Sequence, residues 1–182
     1  MSVNIKYKNN SIAELADTGT KTLKTAGKYC EADIVVENTK DGGGATEPYV
    51  EETYDSNGNL KTAILHGYPV VRSSMFQNCI AMIGVLISHG VTSIGDYAFS
   101  NCSSLTSVTI PASVMSIGSR AFAYCNGLTN VTFKGTPSSI NNAIFEDCSK
   151  LTTINVPWAE GVVPNAPWGA TNATINYNYT VV

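Results

Sequence analysis

Four cysteines stand 23 residues apart, and each lies in the same apolar sequence pattern. Three further columns share this period: one of phenylalanine, one of β-branched residues, and one of methionine or leucine. The columns are Cys79, Cys102, Cys125 and Cys148; Phe76, Phe99, Phe122 and Phe145; Val71, Ile94, Ile117 and Ile140; and Met82, Leu105, Leu128 and Leu151. A unit of this length cannot bury its apolar edge alone, so we predict that the copies stack into a β-rich repeat solenoid.

Composition excludes two kinds of partner. Charged residues make up only 14% of the chain and the net charge is −3, which argues against the clustered cationic surface that nucleic acid requires. The N terminus has no apolar run of signal-peptide length, and no segment approaches the length of a membrane span. We therefore expect no nucleic-acid partner, no membrane insertion and no export by a signal peptide.

The segments outside the repeats differ from them in composition. Short alternating apolar runs occupy the first 40 residues, including Ile34–Val36, and a glycine-rich stretch follows. Asn57-Gly58 lies between two apolar-rich runs, as is typical of a hairpin. We predict a small β-rich N-terminal module (1–40), a Gly-rich linker (41–48), a hairpin N-terminal cap (49–70), about four 23-residue repeats (71–157) and an aromatic C-terminal cap strand (158–182).

Each full repeat divides into three parts. A short strand ends at a column formed by Gly95, Gly118 and Asn141, residue types that tolerate a left-handed turn. A turn too short for an independent helix follows, held by burial of its apolar residues. The third part is the pattern Leu-x-x-Val-x-Ile over residues 105–110, which predicts a strand with one side turned inward.

The third part matches the leucine-rich repeat core, and the 23-residue unit with its Ala-Phe and Cys columns resembles the BspA-like leucine-rich repeat family over roughly residues 68–157. The resemblance implies a right-handed coil of short strands and helical turns, and a role in recognition without chemistry. Residues 19–30 and 33–36 resemble an N-terminal segment of phage and prophage tail or baseplate proteins of gut Firmicutes. This second resemblance implies attachment to a virion.

The cysteines are expected to be buried free thiols. Adjacent coils lie about 4.8 Å apart, a spacing that also permits a disulfide, but a column of four equivalent positions packs well with small apolar groups. Zinc is less favoured because no two cysteines have the spacing of a zinc knuckle. Cys30 lies outside the array and is expected to be an isolated thiol.

Two sets of residues are candidate binding sites. On the strand face, the side chains that alternate with the core form polar rows for a protein or glycan ligand: Ser107, Thr109, Asn130, Thr132, Thr153 and Asn155. Near the C terminus, an aromatic cluster is a candidate glycan platform if at least two of its rings are exposed together: Trp158, Trp168, Tyr177 and Tyr179. The alternatives are a solvated strand face and a C-terminal cap in which Trp168 replaces the phenylalanine of the column.

The sequence shows no catalytic motif. Neither His66 nor His89 has a nucleophile at a recognisable spacing, and the segment from Asp55 to Asn59 lacks the glycine position and final acid of a calcium loop. We expect no enzyme activity, no cofactor and no metal. The favoured function is a phage or prophage tail-associated protein that displays a leucine-rich repeat surface, with a bacterial cell-surface adhesin or carbohydrate-binding module as the alternative.

The two resemblances and the absence of a signal-peptide pattern also lead to expectations about where the chain is located and how it assembles. We expect the chain in a virion or prophage particle, or in the cytoplasm of the producing cell, with the bacterial cell surface as the alternative. The resemblance implies an export signal or wall anchor, which BspA-like surface proteins usually carry, but we expect neither in this chain. Homo-oligomerisation through the N-terminal module is a further expectation.

Overall fold

The computed structural model describes residues 3–6, 12–15 and 48–180. The chain divides into two compact units. The first contains β1 (Val3–Lys6) and β2 (Ile12–Leu15), which pair antiparallel. Three sequence predictions, the strand at Ile34–Val36, the linker up to residue 47 and the state of Cys30, lie outside the described residues.

The second unit contains the strands of residues 48–180, and no helix is present in those residues. In chain order they are β3 (Tyr49–Tyr54), β4 (Leu60–His66), β5 (Val70–Val71), β6 (Gly84–Ile87), β7 (Ser93–Ile94), β8 (Ser107–Ile110), β9 (Ser116–Ile117), β10 (Asn130–Phe133), β11 (Ser139–Ile140), β12 (Thr153–Asn155) and β13 (Thr174–Asn176). The unit is a β-solenoid, as the repeat predicts, with turns in place of the expected helical turns.

Two parallel sheets run along the array. β8, β10, β12 and β13 form one, and β5, β7, β9 and β11 form the other. Pairing follows the repeat, since Asn130 lies opposite Ser107 and Thr153, and Ser116 lies opposite Ser93 and Ser139. A shift of one 23-residue unit therefore moves the chain by one coil, and every column lies along the solenoid.

A hairpin precedes the coils. β3 pairs antiparallel with β4, and β4 pairs parallel with β6. In the connecting loop, a carboxylate oxygen of Asp55 accepts hydrogen bonds from the backbone N–H groups of Asn57 and Asn59, both at 2.8 Å. These bonds, together with a positive φ of 76° at Gly58, account for the loop as a hairpin turn. They also hold the pKa of Asp55 below its usual value, chiefly through Asn59.

The predicted columns form the core. The four phenylalanines are at most 1% exposed, and the rings of Phe76, Phe99 and Phe122 stack in sequence with centroid distances of 5.3 and 5.0 Å. Phe145 continues the stack at 6.0 Å in a tilted arrangement. Ile140 is the exception in its column because it is only half-buried in the last short strand.

Three thiols of the cysteine column donate hydrogen bonds to backbone carbonyls of the phenylalanine column. The thiol of Cys125 donates to the carbonyl oxygen of Phe99 at 3.1 Å, and Cys102 and Cys148 make the equivalent bonds. A hydrogen bond with Cys102, together with burial, raises the pKa of Cys125. The prediction of buried free thiols is confirmed for these three residues. It is wrong for Cys79, which is disulfide-bonded.

The glycine column has a different cause from the one predicted. Positive φ angles occur at Tyr97 and Arg120, two residues after the glycines, and not at Gly95 or Gly118. A Cβ on Gly95 would lie 2.5 Å from the backbone nitrogen of Ser73 in the preceding coil. Close approach of neighbouring coils therefore requires glycine there.

Candidate binding surfaces

The polar rows predicted on the strand face lie there, with unequal exposure. Ser107 and Thr109 are exposed, Asn130, Thr132 and Thr153 are half-buried, and Asn155 is 6% exposed. Exposure on this face therefore falls from the second coil to the fourth, and a ligand would meet the hydroxyl groups of β8 most freely.

Several of these polar side chains are bonded to one another across the coils. The amide of Asn155 donates to the Thr132 hydroxyl at 3.2 Å, and the amide of Asn176 donates to the Asn155 carbonyl oxygen at 2.8 Å. The Thr132 hydroxyl in turn donates to Asn130 at 3.3 Å. These bonds satisfy most of the row at its C-terminal end, so this part of the face has a structural role.

The first coil presents a surface that the sequence analysis missed. Ile80, Ile83 and Leu86, which we call the first-coil patch, are 57%, 44% and 55% exposed. Leu86 lies on β6 opposite the half-buried Ile64 of β4. The period could have revealed the patch, because the equivalent positions in the later coils are all polar: Ser103, Thr106 and Thr109; Asn126, Thr129 and Thr132; and Ser149, Thr152 and Asn155.

The prediction of an exposed aromatic platform is wrong for its two tryptophans, because both are buried. Trp158 is 5% exposed and Trp168 is fully buried. Their rings pack against each other and against Phe133 at 5.4 to 6.3 Å, and the indole N–H of Trp168 donates to the carbonyl of Pro164 at 2.9 Å. Neither ring can stack on a sugar. Tyr177 is half-buried and Tyr179 is 40% exposed.

The last segment pairs with the end of the array. The backbone N–H of Phe145 donates to the carbonyl of Trp168 at 3.0 Å, and β13 pairs parallel with β12. Trp168 therefore occupies the layer after Phe145. The spacing from Thr153 to its partner Thr174 is 21 residues, two fewer than in the repeats.

Some ionisable side chains of residues 48–180 pair with a neighbour. Arg120 donates to both carboxylate oxygens of Glu146 and to the hydroxyl of Tyr97, so three coils are joined on the turn side. The hydrogen bond to Glu146 raises the pKa of Arg120, and the same bond lowers the pKa of Glu146. His66 stacks on Tyr49 at 4.4 Å and lies 3.3 Å from Glu51. These contacts join neighbouring coils or hairpin strands.

Among the described residues, no group of three or more histidine, cysteine or acidic residues is arranged to hold a metal ion. No helix there is long and apolar enough to cross a membrane.

The profile of the BspA type leucine rich repeat region matches residues 70–162, more than half of the chain, as six copies. The chain belongs to this family. No curated protein matches it significantly.

Several solved structures are similar to this BspA-type chain, and the first of them has the same fold. A leucine-rich repeat protein from Bacteroides ovatus is 25% identical with a TM-score of 0.56, over 68% of this chain and 31% of that one. The pneumococcal vaccine antigen PcpA is 22% identical with a TM-score of 0.46, over 57% and 27% of the two chains. A leucine-rich repeat protein of T. pallidum is 16% identical with a TM-score of 0.43, over 71% and 79%. The matched part thus spans about a third of the Bacteroides protein.

Proposed function

We propose that this BspA-type chain is a non-enzymatic interaction module that binds a partner protein across its strand face, with the first-coil patch as the main anchor. The observation that carries the proposal is the exposure of Ile80, Ile83 and Leu86 at positions where the later coils are polar. Apolar side chains beside a polar surface are typical of protein-binding sites.

The chemistry of the neighbouring rows favours the same kind of partner. The outward positions of β8, β10 and β12 carry hydroxyl or amide groups and no charge. Covering them therefore avoids the large desolvation cost of an ionised group. Burying one large aliphatic side chain contributes roughly 1.5 to 3 kcal/mol, so the patch can supply the affinity while the polar rows set the orientation.

The test replaces the first-coil patch with the residues of the second coil, giving the triple variant Ile80→Ser/Ile83→Thr/Leu86→Thr. The matched control, Met115→Thr/Val162→Ser, removes two apolar side chains that are 47% and 57% exposed elsewhere. Proteins retained by the immobilised chain from bacterial and host surface extracts are identified, and their Kd is measured by biolayer interferometry.

We expect a retained protein that binds the wild type and the control equally and the triple variant about tenfold or more weakly. Equal binding to the triple variant would refute the anchor. Retention of glycans alone would refute the choice of a protein partner and favour the carbohydrate-binding alternative.

The location of the chain is a separate proposal. Display on a phage or prophage tail is supported only by the resemblance of residues 19–36, which lie outside the described residues, and the bacterial cell surface is the alternative. Homo-oligomerisation through the N-terminal module likewise stays a prediction. Light scattering of the full chain measures the assembly, and a monomer would count against it.

A further inference from the structure

A groove of about 540 Å³ crosses the second parallel sheet and the turns that follow β7, β9 and β11. Its volume falls within the range of small-ligand sites. Each of three coils contributes a serine, an isoleucine, a glycine or asparagine, and then a polar residue at the turn. The serines are Ser93, Ser116 and Ser139, and the turn residues are Asp96, Ser119 and Asn142.

Most polar side chains of the groove have no hydrogen-bond partner among the described residues. The hydroxyls of Ser93, Ser116 and Ser139 and the side chain of Asn142 make no hydrogen bond to any described residue. On the strand face, by contrast, Asn155 and its neighbours bond to one another. The groove therefore keeps its donors and acceptors available to a ligand.

The lining defines the ligand chemistry. Serine hydroxyls and asparagine amides each offer a donor and an acceptor, which matches the hydroxyls of a sugar. Among the described residues that line the groove, the only charged one is Asp96, whose Oδ1 accepts from the backbone N–H of Ser119 at 2.7 Å. With a carboxylate and no cation among these residues, the groove disfavours anionic ligands.

The repeat extends this match along the solenoid. Equivalent serines recur from coil to coil, which places them about 4.8 Å apart. A linear oligosaccharide also presents its hydroxyls at regular intervals, so one ligand can meet the same groups in all three coils.

We propose that this groove, lined by Ser93, Ser116 and Ser139, binds a neutral oligosaccharide. The site is separate from the strand face and does not depend on the protein partner proposed above.

The test uses the full chain on an array of neutral and sialylated oligosaccharides, followed by calorimetric titration of any glycan bound. The groove variant is Ser93→Val/Ser116→Val, which removes two hydroxyls and narrows the groove. Its matched control is Ser104→Val, because Ser104 is likewise a half-buried serine whose hydroxyl makes no hydrogen bond to a described residue, but it lies outside the groove lining and the strand-face rows. Ser116→Ala serves if the double variant has a lower melting temperature.

We expect neutral glycans to bind, with affinity unchanged in Ser104→Val, reduced about fivefold in Ser116→Ala and about tenfold or more in the groove variant. The proposal is overturned if no neutral glycan binds, if only sialylated glycans bind, or if the folded groove variant binds as tightly as the wild type.

Discussion

The first and second coils carry similar side chains inside the array and different ones outside it. Phe76 and Phe99 are both buried, and their rings stack at 5.3 Å. Outside, Leu86 of the first coil is 55% exposed where the second coil carries Thr109. An inward side chain must fit the coil on each side, whereas an outward one need not. We therefore expect the outward residues that differ between coils to affect binding. We expect the inward residues that are similar in every coil to affect stability.

The largest expected effect tests the inner columns. Phe122→Ala removes a ring that stacks on both Phe99 and Phe145, and we expect it to lower the free energy of unfolding by about 3 to 5 kcal/mol. Phe76 stacks within the column on Phe99 only, so Phe76→Ala should cost about 1 kcal/mol less. Denaturant unfolding of the two variants measures both values, and an unchanged stability of Phe122→Ala would contradict the account.

A smaller change in stability is expected when a methyl group is added to a glycine that lies against the neighbouring coil, compared with a glycine that faces open space. A Cβ at Gly118 would lie 2.7 Å from the backbone nitrogen of Asp96, whereas a Cβ at Gly84 meets no atom within 4 Å. We expect Gly118→Ala to lower stability by about 1 to 3 kcal/mol. Gly84→Ala in the first coil should change it by less than about 0.5 kcal/mol. Equal melting temperatures for the two variants would show that the coils do not press together at Gly118.

The smallest expected effect depends on pH. The pKa of Cys125 is raised in the folded chain, whereas an unfolded thiol ionises near pH 8.5. Below that pH the thiol is protonated in both states. Above it the unfolded state loses its proton first, so stability falls as pH rises. Between pH 8 and 9, Cys125→Ala should lose less stability than the wild type, by less than about 1 kcal/mol in total. Denaturant unfolding at several pH values measures this difference. If the free energy of unfolding of both proteins fell equally with pH, the raised pKa of Cys125 would be ruled out as a contribution.

Sequence reasoning predicted the parts of the fold that depend on the period. A residue such as Phe122 must face inward if its column does, and alternation along β8 assigns Ser107 and Thr109 to the outside. The conformation of single residues could not be obtained in this way. A glycine can be required either by a positive φ or by the close approach of another backbone segment. At Gly95 the structure shows the second cause, because φ is not positive there and Ser73 lies close.

The candidate sites were harder to predict because burial is not set by residue type. From the sequence, Trp168 fits both the predicted cap and the competing exposed platform, and only the packing of the last coil shows that its ring is covered. Asn155 has the alternation of an outward residue, yet the neighbouring coil encloses it. The first-coil patch could have been predicted from the sequence, because the 23-residue register alone shows that Leu86 occupies the position of Thr109 in the next coil.

Residue-resolved hydrogen exchange of the full chain tests most directly whether the coils are bonded to one another. The backbone N–H groups of Phe99, Gly118 and Phe122 each donate to a carbonyl of an adjacent coil at 2.7 to 2.9 Å. We expect these amides to exchange only through global unfolding, with one shared free energy. Exchange at the rate of an unfolded chain, or widely different free energies at the three amides, would contradict a cooperative stack of 23-residue coils.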